Sequence, residues 1–252
     1  MRRAAIIAFA MLVLVPASAG AGATPAPVAL SATPARVMLT GSGAATVRVT
    51  NTGQSPLVVD VSRAAFSLDL RGRPRVGRGT ATWLTVKPAR IVVPVRGTRP
   101  LTVTTRLPRR VEPGDHDALI LLTTRPRRGA AVAVRMRLGI VVVVRAPGRV
   151  VRRLTIAGLG VRRGAKGRVL ELLLFNRGNV TETLERAQVR LVLRRGRAKL
   201  RLRGEPRPLR PHTRGIVQLR NAGRLAGWVT AEAEVVPPSG GPPVRRTFRV
   251  KL

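Results

Sequence analysis

Val47-Arg48-Val49-Thr50 alternates apolar with polar residues and runs straight into Asn51-Thr52-Gly53. The same arrangement returns later. Val169-Leu170-Glu171-Leu172-Leu173-Leu174-Phe175 is a longer apolar run, closed by Asn176-Arg177-Gly178. Alternation with period two places successive side chains on opposite faces of an extended chain, so these runs are read as strands. Asn and Gly then break them, because both adopt turn conformations at little cost. The two Asn-x-Gly landmarks lie 125 residues apart, a domain length and not a solenoid repeat.

Outward from these landmarks the pattern persists. Leu57-Val61, Trp83-Val86, Ile91-Val93, Leu101-Thr105 and Ala118-Leu122 are short apolar or alternating runs separated by Gly, Pro, Asn and Asp. Val132, Val134, Met136 and Leu138 alternate strictly, with Arg135 and Arg137 on the opposite face. Ala146-Pro147-Gly148 interrupts the series. A second set then follows through Leu154-Ile156, Val189-Leu193, Leu200-Arg203, Gly215-Leu219, Trp228-Val235 and Arg246-Val250. Pro237 to Pro243 forms the loop of a final hairpin. About seven short strands per set, with one wet face each, indicate a sandwich. The fold class is all-β: two Ig-like β-sandwich domains in tandem after a signal peptide. The expected divisions are 1–23, 24–147 and 148–252. A short linker between the sandwiches should leave a cleft. Trp83 and Trp228 are expected to fill the two cores.

Residues 1–23 carry the leader. Arg2-Arg3 precedes the apolar run Ala4 to Val15, and Ala17-Ser18-Ala19-Gly20-Ala21-Gly22-Ala23 offers overlapping A-x-A cleavage sites. The apolar run falls short of the roughly 20 residues needed to cross a bilayer. The mature chain is therefore expected to be secreted or periplasmic, associated with the cell envelope, with no membrane-spanning segment.

The chain of 252 residues holds 47 Lys+Arg and 11 Asp+Glu, for a formal net charge of +36. That charge drives salt-dependent adsorption to anionic polymers, headgroups and nucleic acid. Specific nucleic-acid binding is not expected. Aromatics are 2% of the residues, no recognition motif is present, and the leader directs the chain to export. The arginines are spread along the whole chain, and the bias of Arg over Lys reads as largely compositional. With 44% hydrophobic residues the chain can build a core, so disorder is excluded. Without cysteine there is no disulfide framework and no thiolate metal site.

Catalytic signals are sparse. The histidines are His116 and His212, and no G-x-S-x-G elbow is present. Glu112, Asp115, His116 and Asp117 form a dense acidic patch around a Pro-Gly turn, read as the mouth of a strand and not as a cation site. No catalytic residue, metal ligand or cofactor is assigned. A secreted enzyme remains the weakest alternative, and it would need a pocket bringing one of the histidines onto a nucleophile.

Two family resemblances sharpen this reading. Thr82-Trp83-Leu84-Thr85-Val86-Lys87-Pro88, then Arg96-Gly97-Thr98-Arg99-Pro100-Leu101-Thr102-Val103-Thr104, then Pro113-Gly114-Asp115-His116, resembles the first Ig-like domain of the WxL-interacting family of bacterial surface proteins. That resemblance implies a non-catalytic envelope scaffold, its first domain engaging peptidoglycan or a related cell-wall polymer and its second engaging protein partners. The sequence departs from that family at His116, where an aromatic is common, and lacks its C-terminal membrane span and basic tail.

Pro34-Ala35-Arg36-Val37-Met38-Leu39 followed by Val47-Arg48-Val49-Thr50-Asn51 is similar to the opening of the periplasmic pilus chaperones. That second resemblance implies pilus subunits as partners. It places Arg36 where those chaperones grip the terminal carboxylate of a pilus subunit, and Arg137 near their second cleft cation. Val132, Val134, Met136 and Leu138 would then form an edge strand lending backbone bonds and alternate side chains to a partner. The wall-binding scaffold is the first expectation and the chaperone the second.

Overall fold

The structure, a computed structural model, describes residues 29–77, 79–126, 134–164, 167–185, 188–221 and 225–252. The expected leader, residues 1–23, and Val132 lie outside the described residues. The first set of strands is β1 (Leu30–Thr33), β2 (Arg36–Thr40), β3 (Gly43–Asn51), β4 (Leu57–Leu68), β5 (Pro74–Gly77), β6 (Leu84–Lys87), β7 (Arg90–Val93), β8 (Thr98–Thr105), β9 (Gly114–Thr124) and β10 (Arg137–Ala146). The second is β11 (Leu154–Gly164), β12 (Gly167–Asn176), β13 (Glu182–Leu184), β14 (Val189–Arg195), β15 (Ala198–Arg203), β16 (Arg207–Leu209), β17 (Arg214–Asn221), β18 (Trp228–Val235) and β19 (Val244–Lys251).

The fold is all-β and forms two sandwiches. In the first, a four-stranded sheet ordered β1-β3-β8-β6 faces a six-stranded sheet ordered β2-β10-β9-β4-β5, with β7 also paired to β4. Val47, Val49, Leu101 and Val103 from one sheet meet Ile120, Leu122, Ile140 and Val142 from the other in one core. In the second, β11-β12-β17 faces β15-β14-β18-β19, and β13 pairs with β16. Leu170, Leu172 and Leu174 pack there against Leu191, Leu193, Ala231 and Val235. The alternation is the cause: strands such as β3, β8, β14 and β18 bury every second side chain and give the others to the outer face.

The two Asn-x-Gly landmarks are structurally equivalent. Asn51 donates its amide to the Ser55 carbonyl at 2.7 Å and the Pro94 carbonyl at 3.0 Å, and accepts from the Gly53 N–H at 2.9 Å. Asn176 donates to the Val180 carbonyl at 2.8 Å and the Leu209 carbonyl at 3.0 Å, and accepts from the Gly178 N–H at 2.9 Å. Both side chains are fully buried. Each thus ties its own turn to a distant strand end.

Two expectations are corrected. The strand expected over Val132 to Leu138 begins only at Arg137, so Val134 and Met136 precede it. Strand pairing with β9 starts at Arg137 opposite Thr123. One further pair of bonds, Thr124 N–H to Met136 O and Met136 N–H to Thr124 Oγ1, closes the ladder. Of the apolar run Leu138 to Val144, Val141 to Val144 sit between β9 and β2, while Leu138 to Ile140 pair with β9. Trp228 is not in the core: it is 56% exposed at the start of β18, with the Arg249 guanidinium 5.3 Å from its ring centre. Trp83 is half-buried against the first core.

Candidate interdomain cleft

The outer face of the six-stranded sheet is set by its register. Arg36 lies beside Val141, and Val141 beside Leu119. Leu119 in turn neighbours Ala64 on β4. Two residues along, Met38 neighbours Val143, which neighbours Asp117. Because Val37, Val142 and Ala118 point into the core, Arg36, Met38, Val141, Leu119 and Asp117 share the opposite face. Ala64, Leu119 and Leu121, with Phe66 and Val141, form a small apolar cluster on that face. This explains the continuous apolar run in β9, which is buried on both sides.

The lower end of this face meets the second sandwich. Arg210 forms an ion pair with Asp117, donates to the Phe66 carbonyl, and stacks 4.9 Å over the Phe66 ring. Burial raises the Asp117 carboxyl above its ordinary value, against the pull of Arg210 and, more weakly, of Arg36. Asp115 is held from both domains: Arg145 donates to it at 2.7 Å and 3.1 Å, and the Thr181 N–H at 2.8 Å. Burial acts to raise its carboxyl, but the bonds from Arg145 and Thr181 prevail and hold it below the ordinary range. The Asp115 N–H in turn reaches the Asn179 carbonyl at 2.8 Å. At Gly114, φ is +118°, and a Cβ there would lie 2.0 Å from the Asn179 carbonyl oxygen, so only glycine permits this approach.

A second junction lies at the β4–β5 hairpin. Arg207 is buried and donates to the carbonyls of Asp69 at 3.1 Å and Leu70 at 2.9 Å. Burial lowers its pKa. The Ile216 N–H bonds to the Leu70 carbonyl at 2.7 Å. At the first junction, Trp83, Glu112, His116 and Asp117 of the first sandwich and Arg210 and His212 of the second line a cleft of about 270 Å³. His212 meets Glu112 at 3.0 Å, and His116 meets the Glu112 carbonyl at 2.7 Å. The expected acidic patch is thus divided: Asp115 and Asp117 bind arginines, while Glu112 binds histidine. Among the described residues no group of three or more His, Cys, Asp and Glu is placed to hold a metal ion.

Arg36 and Arg137 share the outer face but not a site. Arg36 sits beside Val141, and Arg137 lies four residues up β10, roughly 13 Å away. The arginine that joins Arg36 around Asp117 is Arg210. Sequence reading missed it because Arg210 lies at a turn, far in sequence from β9, and carries no local motif.

Among the described residues, the edge of β10 that faces β2 is open over its first half. β2 pairs only with Val141 to Arg145. Val141 N–H donates to the Ala35 carbonyl, so the alternate residues Gly139 and Arg137 aim their backbone groups the same way, past the end of β2. Just ahead of this edge Val134 is 46% exposed.

No protein-family model matches the chain, and a comparison with curated proteins finds no match. Solved structures do resemble it. A chaperone–tip adhesin complex of CFA/I fimbriae biogenesis matches at TM-score 0.53 and 10% identity over 89% of this chain and 100% of that one. The class 5 fimbriae chaperone CfaA matches at 0.51 and 11%, over 89% and 100%. The CsuC–CsuE chaperone–tip adhesion subunit pre-assembly complex of the archaic chaperone-usher Csu pili of Acinetobacter baumannii matches at 0.51 and 14%, over 88% and 97%. At these identities the likeness is one of fold, the two-domain β-sandwich.

Proposed function

We propose that this chain is a non-catalytic periplasmic chaperone for pilus-type subunits. The observation that carries the reading is the half-open edge of β10, on a sheet whose outer face also holds Arg36. An extended partner segment would pair with Arg137 and Gly139. Val132, Val134, Met136 and Leu138 would offer alternate side chains to the partner's groove. Arg36 would bind the partner's terminal carboxylate through a charge-assisted bond. Arg137, at the far end of the same face, would contact the partner further along its strand.

The fold likeness to pilus chaperones supports this reading over the wall-binding scaffold, for which no comparison or geometric feature speaks. The reading keeps 1–23 as an export leader and divides the sandwiches into 24–147 and 148–252, the junction falling at Pro147-Gly148. Among the described residues no helix is long and apolar enough to cross a membrane.

The test is calorimetric titration of a short alternating peptide with a free C-terminal carboxylate. Arg36→Ala should weaken binding about tenfold or more, the scale of a lost charge-assisted bond. Arg137→Ala should weaken it less. Unchanged affinity in both variants overturns the proposal.

A further inference from the structure

The arginines are not distributed evenly over the outer faces of the sheets. On the β15-β14-β18-β19 sheet the register sets out successive cross-strand rows. Arg203, Arg190, Glu234 and Arg245 form the first. Arg201, Val192, Glu232 and Thr247 form the next. Lys199, Arg194, Thr230 and Arg249 form the third, and Trp228 and Lys251 close the end. Leu191, Leu193, Leu202, Ala231 and Ala233 point the other way, into the core. The face therefore carries a large excess of cations over its two carboxylates, Glu232 and Glu234. Those two are already matched by Arg194 at 3.0 Å and Arg245 at 3.6 Å.

The four-stranded sheet of the first sandwich supplies the contrast. Its outer face presents Thr46, Thr50, Thr98, Thr102, Thr104 and Thr85, with Arg48 and Lys87 as its cations. Compositional drift toward arginine would load both exposed faces alike. It does not account for a threonine face and an arginine face in one chain. The hydrogen bonds and ion pairs joining the two sandwiches come from β12, β16, β17 and the loops at Asn179 to Thr181 and Arg210 to His212. None of these bonds comes from β14, β15, β18 or β19.

We propose that this face is a docking surface for an anionic phospholipid bilayer. It is a sheet surface about 15 Å by 25 Å, large enough to cover several headgroups at once. Clustered Lys and Arg near an anionic membrane surface each contribute favourably and additively. Trp228 stands at the rim between Arg249 and Lys251, 56% exposed. An amphipathic ring at the border of a cationic face suits the headgroup layer, where one side is apolar and the other wet. A nucleic acid would call for a row of stacking rings or an element entering a groove. This face has one ring, at its edge, and a flat centre of Val192, Thr230 and Thr247.

The test is sedimentation of the full chain with vesicles of phosphatidylcholine containing phosphatidylglycerol, against pure phosphatidylcholine. Binding should require phosphatidylglycerol. Arg201→Glu/Arg203→Glu should weaken it about tenfold or more, given the contribution of each cation at such a surface. Arg48→Glu/Lys87→Glu removes the same charge from the threonine face and should change binding less than about threefold. Circular dichroism establishes that both variants are folded. A blue shift of tryptophan emission on the vesicles should vanish in Trp228→Phe. Equal losses in the two double variants, or a blue shift that survives Trp228→Phe, overturns the proposal. So does tighter binding to duplex DNA with the same sensitivity to Arg201→Glu/Arg203→Glu.

Discussion

Asp115 and Asp117 are two residues apart on β9, and their surroundings push them in opposite directions. Asp115 is held below the ordinary aspartate value of 3.8 by Arg145 and the Thr181 N–H. Its stabilising contribution is present above that value and is lost as pH falls through its lower, folded pKa. Asp117 is raised above 3.8 by burial. Its folded form holds the proton more tightly, so its contribution falls as pH rises from 3.8 through its folded pKa. We therefore predict that Asp115→Asn is destabilised at neutral pH and that its deficit shrinks on acidification below about 3.8. Asp117→Asn should gain relative to the parent as pH rises above 3.8. Urea denaturation across the acid range reads both trends; parallel curves for the two variants would contradict this assignment. The acidic patch was legible in sequence as the mouth of a strand. Its division between arginines of both sandwiches was not, because Arg145, Thr181 and Arg210 reach it only through the tertiary fold.

At the scale of elements, the repeated Asn-x-Gly turn carries the strongest correspondence between pattern and structure. Strand alternation followed by Asn and Gly identifies both turns, and each Asn binds backbone groups of its own turn and of a distant strand end. Removing the side chain leaves buried carbonyls unpaired, so Asn51→Ala and Asn176→Ala should each cost about 2–4 kcal/mol in equilibrium unfolding. A loss under about 0.5 kcal/mol, the range of ordinary surface changes, would show that the turns hold without them. The start of β10 departs from the sequence pattern for a related reason. Alternation at Val132 to Leu138 fits a strand, but a strand needs a neighbour, and the ladder with β9 ends near Thr124. Trp228 departs likewise: a large ring suits a core, yet its position in register with Lys251 puts it on the outer face.

Over the whole molecule, the two sandwiches are joined by contacts that bury the side chains of Asp115, Asp117 and Arg207. The fold class and the pairing of similar halves followed from periodicity and turn chemistry. The cleft cation supplied by Arg210 and the confinement of the arginine excess to particular faces did not, since both depend on which strands become neighbours. The proposed chaperone action requires an open β10 edge that accepts an extended partner segment anchored near Arg36. The direct measurement is amide hydrogen exchange by NMR at Arg137 and Gly139. Both amides should become protected on adding a short alternating peptide with a free C-terminal carboxylate. That protection should be reduced with the amidated peptide and in Arg36→Ala. Arg137 and Gly139 amides that exchange at the same rate with and without peptide, while the peptide binds, would contradict it.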